Sequence, residues 1–199
     1  MNTFAQAQFM TDVNGRPVKE LKYTDIDGSP YLREDWSAGL IKTRSGKLQQ
    51  FARVRYDAFQ DELEYDQAGK YFRLAPEISE FSCGDGTFRN GFPIIDNHTK
   101  DSFYQILYDG KTKVLKKIMI RVITEKAYGS ATETKRFLKE EKLYLAINGM
   151  LQAVKGDKKA TMLIFQDKKE ALETFIKNQK LKLSSEDDLL KVAEKYDSL

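Results

Sequence analysis

The feature that most constrains this chain is a two-residue rhythm of apolar and polar side chains, interrupted by turn formers. Between residues 48 and 56, the apolar Phe51, Val54 and Tyr56 are interleaved with Arg53 and Arg55. This is the mark of a strand with one face buried and one face wet. Residues 78–83 repeat it, with Ile78, Phe81 and Cys83 apolar against Glu80 and Ser82. In residues 111–125, Val114, Ile118, Ile120 and Val122 share one face. Lys113, Lys117, Met119, Arg121 and Ile123 take the other, and Leu115 and Lys116 break the alternation.

Further strands are predicted over 36–43, 62–65, 71–74, 87–95, 102–108, 136–147 and 150–155. The turns between them fall at Arg44-Ser45-Gly46-Lys47, Gln67-Ala68-Gly69-Lys70, Gly84-Asp85-Gly86, Asp109-Gly110, Gly129-Ser130-Ala131-Thr132 and Asn148-Gly149. Asn-Gly and Asp-Gly favour two-residue hairpins because their backbones tolerate positive φ. About nine or ten strands at this spacing describe an all-β pattern. Consecutive hairpins predict an antiparallel meander that forms a curved sheet, half-barrel or barrel.

From residue 156 the pattern becomes helical. Asp157 can cap a short helix over 158–165, although 162–165 also reads as a strand. Asp167-Lys168-Lys169-Glu170 resembles a capping box, followed by an apolar stripe of Ala171, Leu172, Phe175 and Ile176. Ser184-Ser185-Glu186-Asp187-Asp188 opens another helix, with acids suited to its N-terminal dipole. Helices of about 11–13 residues do not stand alone in water, so these must pack on the sheet. The fold class is therefore mainly β (α+β), with two or three short C-terminal helices.

Residues 1–30 read as a partly irregular lead-in, with a short strand around 18–23. Residues 31–155 form the meander and residues 156–199 the helical segment. With 199 residues, no internal repeat and no Pro-, Gly- or Ser-rich linker, a single domain is expected.

Composition removes several function classes. A net charge of +3 provides little steering towards nucleic acid, so no nucleic-acid partner is expected. One cysteine forbids an internal disulfide, and one histidine argues against a zinc centre. No metal and no cofactor are expected. No apolar run approaches the roughly 18 residues a transmembrane helix needs. The Ala5-Gln6-Ala7 triplet fits the small-residue pattern at a signal-peptide cleavage site, but no apolar stretch precedes it, so it reads either as the remnant of an export signal or as a chance match.

Candidate chemistry is sparse. His98 lies in Asp96-Asn97-His98-Thr99-Lys100-Asp101, where Asp96 or Asp101 could orient it as a general base. No nucleophile motif accompanies it, and a polar loop tip explains the same composition. Cys83 continues an apolar face and reads as a buried structural thiol. Gly84-Asp85-Gly86 lacks the Lys-Ser/Thr of a phosphate loop and reads as a turn. No catalytic residues are assigned. The segment 135–182 is the most basic, with twelve basic and six acidic residues, a net +6. It reads either as a contact for an anionic surface such as lipid headgroups or nucleic acid, or as solvated faces with i,i+4 pairs. Trp36, Tyr56, Tyr71, Phe81 and Phe103 are the candidates for a ligand-binding surface or an apolar cavity. Aromatics of this kind also commonly fill a core.

Gly28-Ser29-Pro30-Tyr31-Leu32, Trp36 with Gly39, Arg55-Tyr56-Asp57, Leu63-Glu64 and Phe103-Tyr104-Gln105-Ile106-Leu107 form one set of short motifs. Leu115-Lys116-Lys117, Phe175-Ile176-Lys177, Asp188-Leu189 and Tyr196 extend it. Together they resemble a group of uncharacterised exported proteins of Gram-negative bacteria. The resemblance implies a periplasmic or cell-surface location and no particular activity. The expectation is a non-enzymatic binding or structural module of the cell envelope, with another envelope protein or a small apolar ligand as partner. The alternatives are a carrier of a small apolar ligand in a half-barrel cavity and, more remotely, a carboxylate-dependent hydrolase.

Overall fold

A computed structural model of the chain describes residues 16–17, 23–74, 77–84, 86–126 and 133–199. The Ala-x-Ala motif, the short strand at 18–23 apart from Tyr23, and the loop at 129–132 lie outside the described residues. The strands are β1 (Arg16–Pro17), β2 (Ser37–Thr43), β3 (Leu48–Asp57), β4 (Glu62–Gln67), β5 (Lys70–Arg73), β6 (Ile78–Cys83), β7 (Gly86–Arg89), β8 (Tyr104–Asp109), β9 (Lys113–Lys126), β10 (Glu133–Ile147) and β11 (Met150–Ala153). The helices are α1 (Lys158–Ile164), α2 (Lys169–Asn178) and α3 (Glu186–Ser198), with a 3-10 turn at Gln166–Lys168 before α2.

The fold is mainly β, antiparallel, with three short C-terminal helices, as the alternation predicts. The strand order is β1-β5-β4-β3-β2-β6-β7-β8-β9-β10-β11. Two connections depart from a pure meander. β1 pairs with β5 and not with β2. β6 does not pair with β5 but returns beside β2, with Ile41 facing Phe81. The strands β2 to β6 thus have a Greek-key connection. Alternation fixes which face a residue takes, not which strand lies beside it.

The chain divides into two compact units, residues 1–87 with 119–139, and residues 88–118 with 140–199. In the first, the side chains buried along β2, β3, β4 and β6 include Ile41, Val54, Tyr56, Leu63, Phe81 and Cys83. Two gaps in the alternation become β-bulges. Between Ser37/Val54 and Gly39/Phe51, β3 advances three residues while β2 advances two. Between Lys42/Glu80 and Thr43/Ile78, β6 advances two while β2 advances one. Each extra residue lets an apolar side chain, Phe51 or Ile78, rejoin the face of its strand's core residues. Phe51 accordingly meets Tyr65, ring centroids 5.2 Å apart.

At the β3–β4 turn the fully buried Asp57 carboxylate is satisfied locally. It accepts from Phe59 N at 3.0 Å, Gln60 N at 2.9 Å and the Tyr23 hydroxyl at 3.0 Å. Tyr23, Phe59 and Phe137 pack edge to face around it, with centroids 5.4 to 5.6 Å apart.

In the second unit, β9 and β10 are buried on both faces. Val114, Leu145 and Ile147 pack with Met162, Phe165, Leu172, Ile176, Leu189 and Val192 of the helical segment. Leu115 and Tyr144, on the other face, pack with Phe92, Tyr104 and Leu151. Burial on both faces removes the need for alternation, which explains Leu115. It also buries Lys117, expected on a polar face. Lys117 is 3% exposed, and its ammonium donates to the Phe103 carbonyl at 2.9 Å.

The helix starts follow their caps in part. Asp157 accepts from Lys159 N and Ala160 N at the start of α1, and Ser185 accepts from Asp188 N at the start of α3. Asp167 does not cap α2; its carboxylate accepts from the Tyr196 hydroxyl at 2.8 Å. The strand expected over 87–95 ends at Arg89, since Gly91 takes φ +90° and Pro93 has no N–H to donate. Asp109-Gly110 is not a two-residue turn. Asp109 faces Lys113 across residues 110–112. A Cβ at Gly110 would strike the Asp197 carboxylate and the Tyr108 hydroxyl.

Candidate binding site

The site begins with the alternation of β3. Val54 and Tyr56 face the core, so Arg55 points to the opposite face. Across the ladder Arg55 faces Glu64, which faces Arg73. Arg55 Nη2 donates to Glu64 Oε2 at 3.0 Å, and the Glu64 side chain is fully buried. An unpaired carboxylate at that depth would be costly, so the ion pair is what makes the position tolerable.

The guanidinium of Arg55 has an aromatic ring on two sides. It lies 3.5 Å from the Tyr31 ring centroid and 4.3 Å from that of Trp36. Trp36 in turn packs on Tyr71, centroids 5.1 Å apart. Arg53 lies 5.7 Å from the Trp36 centroid, and its Nε is 3.0 Å from Asp66 Oδ2. Arg73 Nη1 sits 2.9 Å from Glu62 Oε2. Burial, and then the Glu64 carboxylate, push the Tyr31 phenol up to about 12. The result is a platform of Tyr31, Trp36 and Tyr71, half-buried, braced by three arginine–carboxylate pairs. Cation–π contacts contribute about 0.5–2 kcal/mol each, depending on desolvation. The Arg53 side chain remains 55% exposed at the edge of the platform.

The structure therefore brings Trp36 and Tyr71 together. Tyr56 and Phe81 also meet, centroids 5.2 Å apart, but in the core. The Tyr56 hydroxyl donates to Asp61, and burial followed by that carboxylate raises its pKa. Phe103 belongs to the second unit, is buried, and offers its carbonyl to Lys117. Sequence reasoning missed Tyr31, Arg53, Arg55 and Glu64. The signal was present: Arg-Val-Arg-Tyr puts both arginines opposite the core face, beside a tryptophan one strand away.

The other sequence candidates sit as follows. His98 closes a tight turn, its N–H donating to Ile95 O at 2.8 Å, with Asp96 and Asn97 both at positive φ. Its ring meets Tyr104 and Tyr144 edge to face, at 6.0 and 6.4 Å. Asp96 accepts from the Tyr144 hydroxyl at 3.0 Å, and burial, then that bond, raise the Tyr144 pKa. The Cys83 thiol is buried, 3.5 Å from the Ser37 hydroxyl. Hydrogen bonds from Arg89 and Lys113 hold Asp109 down at about 2, and Arg136 lowers Glu125.

Among the described residues, no three His, Cys, Asp or Glu side chains are grouped to hold a metal ion, and no helix is long and apolar enough to cross a membrane. Compared with known proteins, the chain matches no family model, no curated protein and no solved structure.

Proposed function

We propose that this chain is a non-enzymatic binding module of the cell envelope that engages a protein partner through the Trp36–Tyr71–Arg53 platform. The observation that carries the reading is a half-exposed Trp36 held in place by Tyr71 and two guanidiniums. Tryptophan, tyrosine and arginine are the side chains that dominate binding energy at protein interfaces. Here they are already ordered by the ladder beneath them, which lowers the entropy cost of association. The resemblance to exported Gram-negative proteins supports the envelope location. Direct ring contact between the fully buried Tyr56 and Phe81 is what core packing produces, and it favours this reading over a carrier that would line a cavity with them.

Native mass spectrometry on protein isolated from its own host tests the reading. A defined partner is expected to accompany the wild-type chain. Trp36→Ala should weaken that complex by about 2 kcal/mol or more, the loss typical of an interface hot spot. A partner retained at full strength by folded Trp36→Ala, or a small-molecule adduct in its place, would overturn the proposal.

A further inference from the structure

The helical segment of the second unit carries a charge asymmetry that the folded structure sharpens. Residues 155–182 contain eight lysines against four acids, and no arginine. Three of the acids are directed to partners within the unit. Asp157 caps α1, Asp167 accepts from Tyr196, and Glu173 lies 3.8 Å from Lys169. Lys168 donates to the Tyr196 carbonyl at 3.0 Å. The ammonium groups of Lys155, Lys158, Lys159, Lys177, Lys180 and Lys182 have no ion pair or hydrogen bond among the described residues, and all six residues are exposed.

An apolar side chain projects among them. α1 buries Thr161 and Met162, while Leu163 is 66% exposed. Lys159 and Leu163 stand four residues apart and share one side of the helix. On α2, Lys169, Glu173 and Lys177 share a row, away from the buried Leu172 and Ile176. Residues 183–199 reverse the balance, with five acids against two lysines, so within the helical segment the lysine excess belongs to α1, α2 and the residues flanking them.

We propose that the α1–α2 surface docks the second unit onto an anionic lipid bilayer, with the lysines at headgroup level and Leu163 entering the interface. Unpaired lysines around a protruding leucine provide the two terms of interfacial binding, attraction to anionic headgroups and burial of apolar surface. A nucleic acid is the weaker match. Phe165 is fully buried and Phe175 half-buried, and the segment has no guanidinium to stack on bases. The proposal does not depend on the Trp36 platform.

Vesicle co-sedimentation of the full chain tests it, comparing phosphatidylcholine alone with phosphatidylcholine containing about 30% phosphatidylglycerol. Wild type should pellet with the anionic vesicles only, and be released on raising salt from about 0.1 M to about 0.5 M. At about fivefold per lysine, the K158Q/K159Q/K177Q/K180Q variant should partition nearly three orders of magnitude, roughly 600-fold, more weakly. Leu163→Ser should weaken binding by about tenfold, with the salt dependence unchanged. If the fourfold variant fails to fold by circular dichroism, the single reversal Lys159→Glu supplies the same comparison. Equal pelleting with both vesicle types, or full retention by a folded variant, would overturn the proposal. So would salt-sensitive binding to a labelled DNA duplex without vesicle binding, which would reassign the surface to nucleic acid.

Discussion

Both units bury an apolar core, but among the described residues only the first adds an arginine ion pair to a fully buried carboxylate. In the second unit, Val114, Leu145 and Ile147 meet Phe165, Leu172, Ile176 and Leu189 in an apolar core. In the first, the face of β3 and β4 away from the core carries Arg55 against a fully buried Glu64, with Tyr31 and Trp36 flanking the guanidinium. Apolar burial is non-directional and tolerates repacking. A buried ion pair is directional, and losing either partner strands the other. A patch built the second way has fixed geometry, which is what a recognition surface requires.

That contrast can be broken experimentally, starting with the largest effect. Phe165→Ala should destabilise the second unit by about 3–5 kcal/mol, the usual cost of truncating a buried aromatic. Glu64→Gln should cost the first unit about 3 kcal/mol, because it leaves Arg55 only partly solvated and without its counter-charge. The two differ in how they are rescued. Arg55→Met combined with Glu64→Leu should recover most of the loss in urea denaturation, whereas no second substitution at a distance should restore Phe165→Ala. An additive double variant at Arg55 and Glu64 would show that the pair is not coupled.

A smaller effect sharpens the reading of the helices. Asp157→Ala and Ser185→Ala should each cost about 1 kcal/mol, because each leaves helix N–H groups without an acceptor. Equal stability of either variant and wild type in urea would show that the cap contributes nothing.

The pH dependence separates acid from alkaline responses. Asp109 is held down at about 2 from an ordinary 3.8, so its stabilisation is present above about pH 4 and fades as the pH falls towards 2. Its partial exposure keeps that contribution small. Tyr31 and Tyr196 are each pushed up to about 12 from 10.0, the latter by burial and then the Asp167 carboxylate. Their stabilisation is complete below pH 10 and is lost as the pH rises towards 12. Phenolate absorbance should therefore rise late, together with loss of circular dichroism. All tyrosines ionising near pH 10 in a protein that keeps its fold would contradict both assignments.

Much of the fold was legible because the relevant physics is local. Asn148-Gly149 takes positive φ at both positions, 51° and 75°, as its dipeptide predicts. The Ala68-Gly69 turn does the same, although only the glycine announces it. The three-residue spacings from Phe51 to Val54 and from Ile78 to Phe81 read as plain alternation in the sequence, and each is a bulge. The return of β6 beside β2 was not legible, since it depends on contacts between distant strands. Nor was the burial of Lys117, because burial on both faces of a strand erases the rhythm that marks orientation. The candidate site was half legible. Trp36 and Tyr71 were identified as aromatics, but the arginines that organise them were read as the wet side of a strand.

Lys117 has a practical consequence. Its amine is sealed against the Phe103 carbonyl and sits 5.7 Å from the Tyr104 ring centroid, so an acylating reagent can reach it only when that part of the molecule opens. The exposed lysines of α1 and α2 should modify at once, giving an internal reference. The lag before Lys117 reacts then becomes a clock, timing local opening at a single residue without an added label.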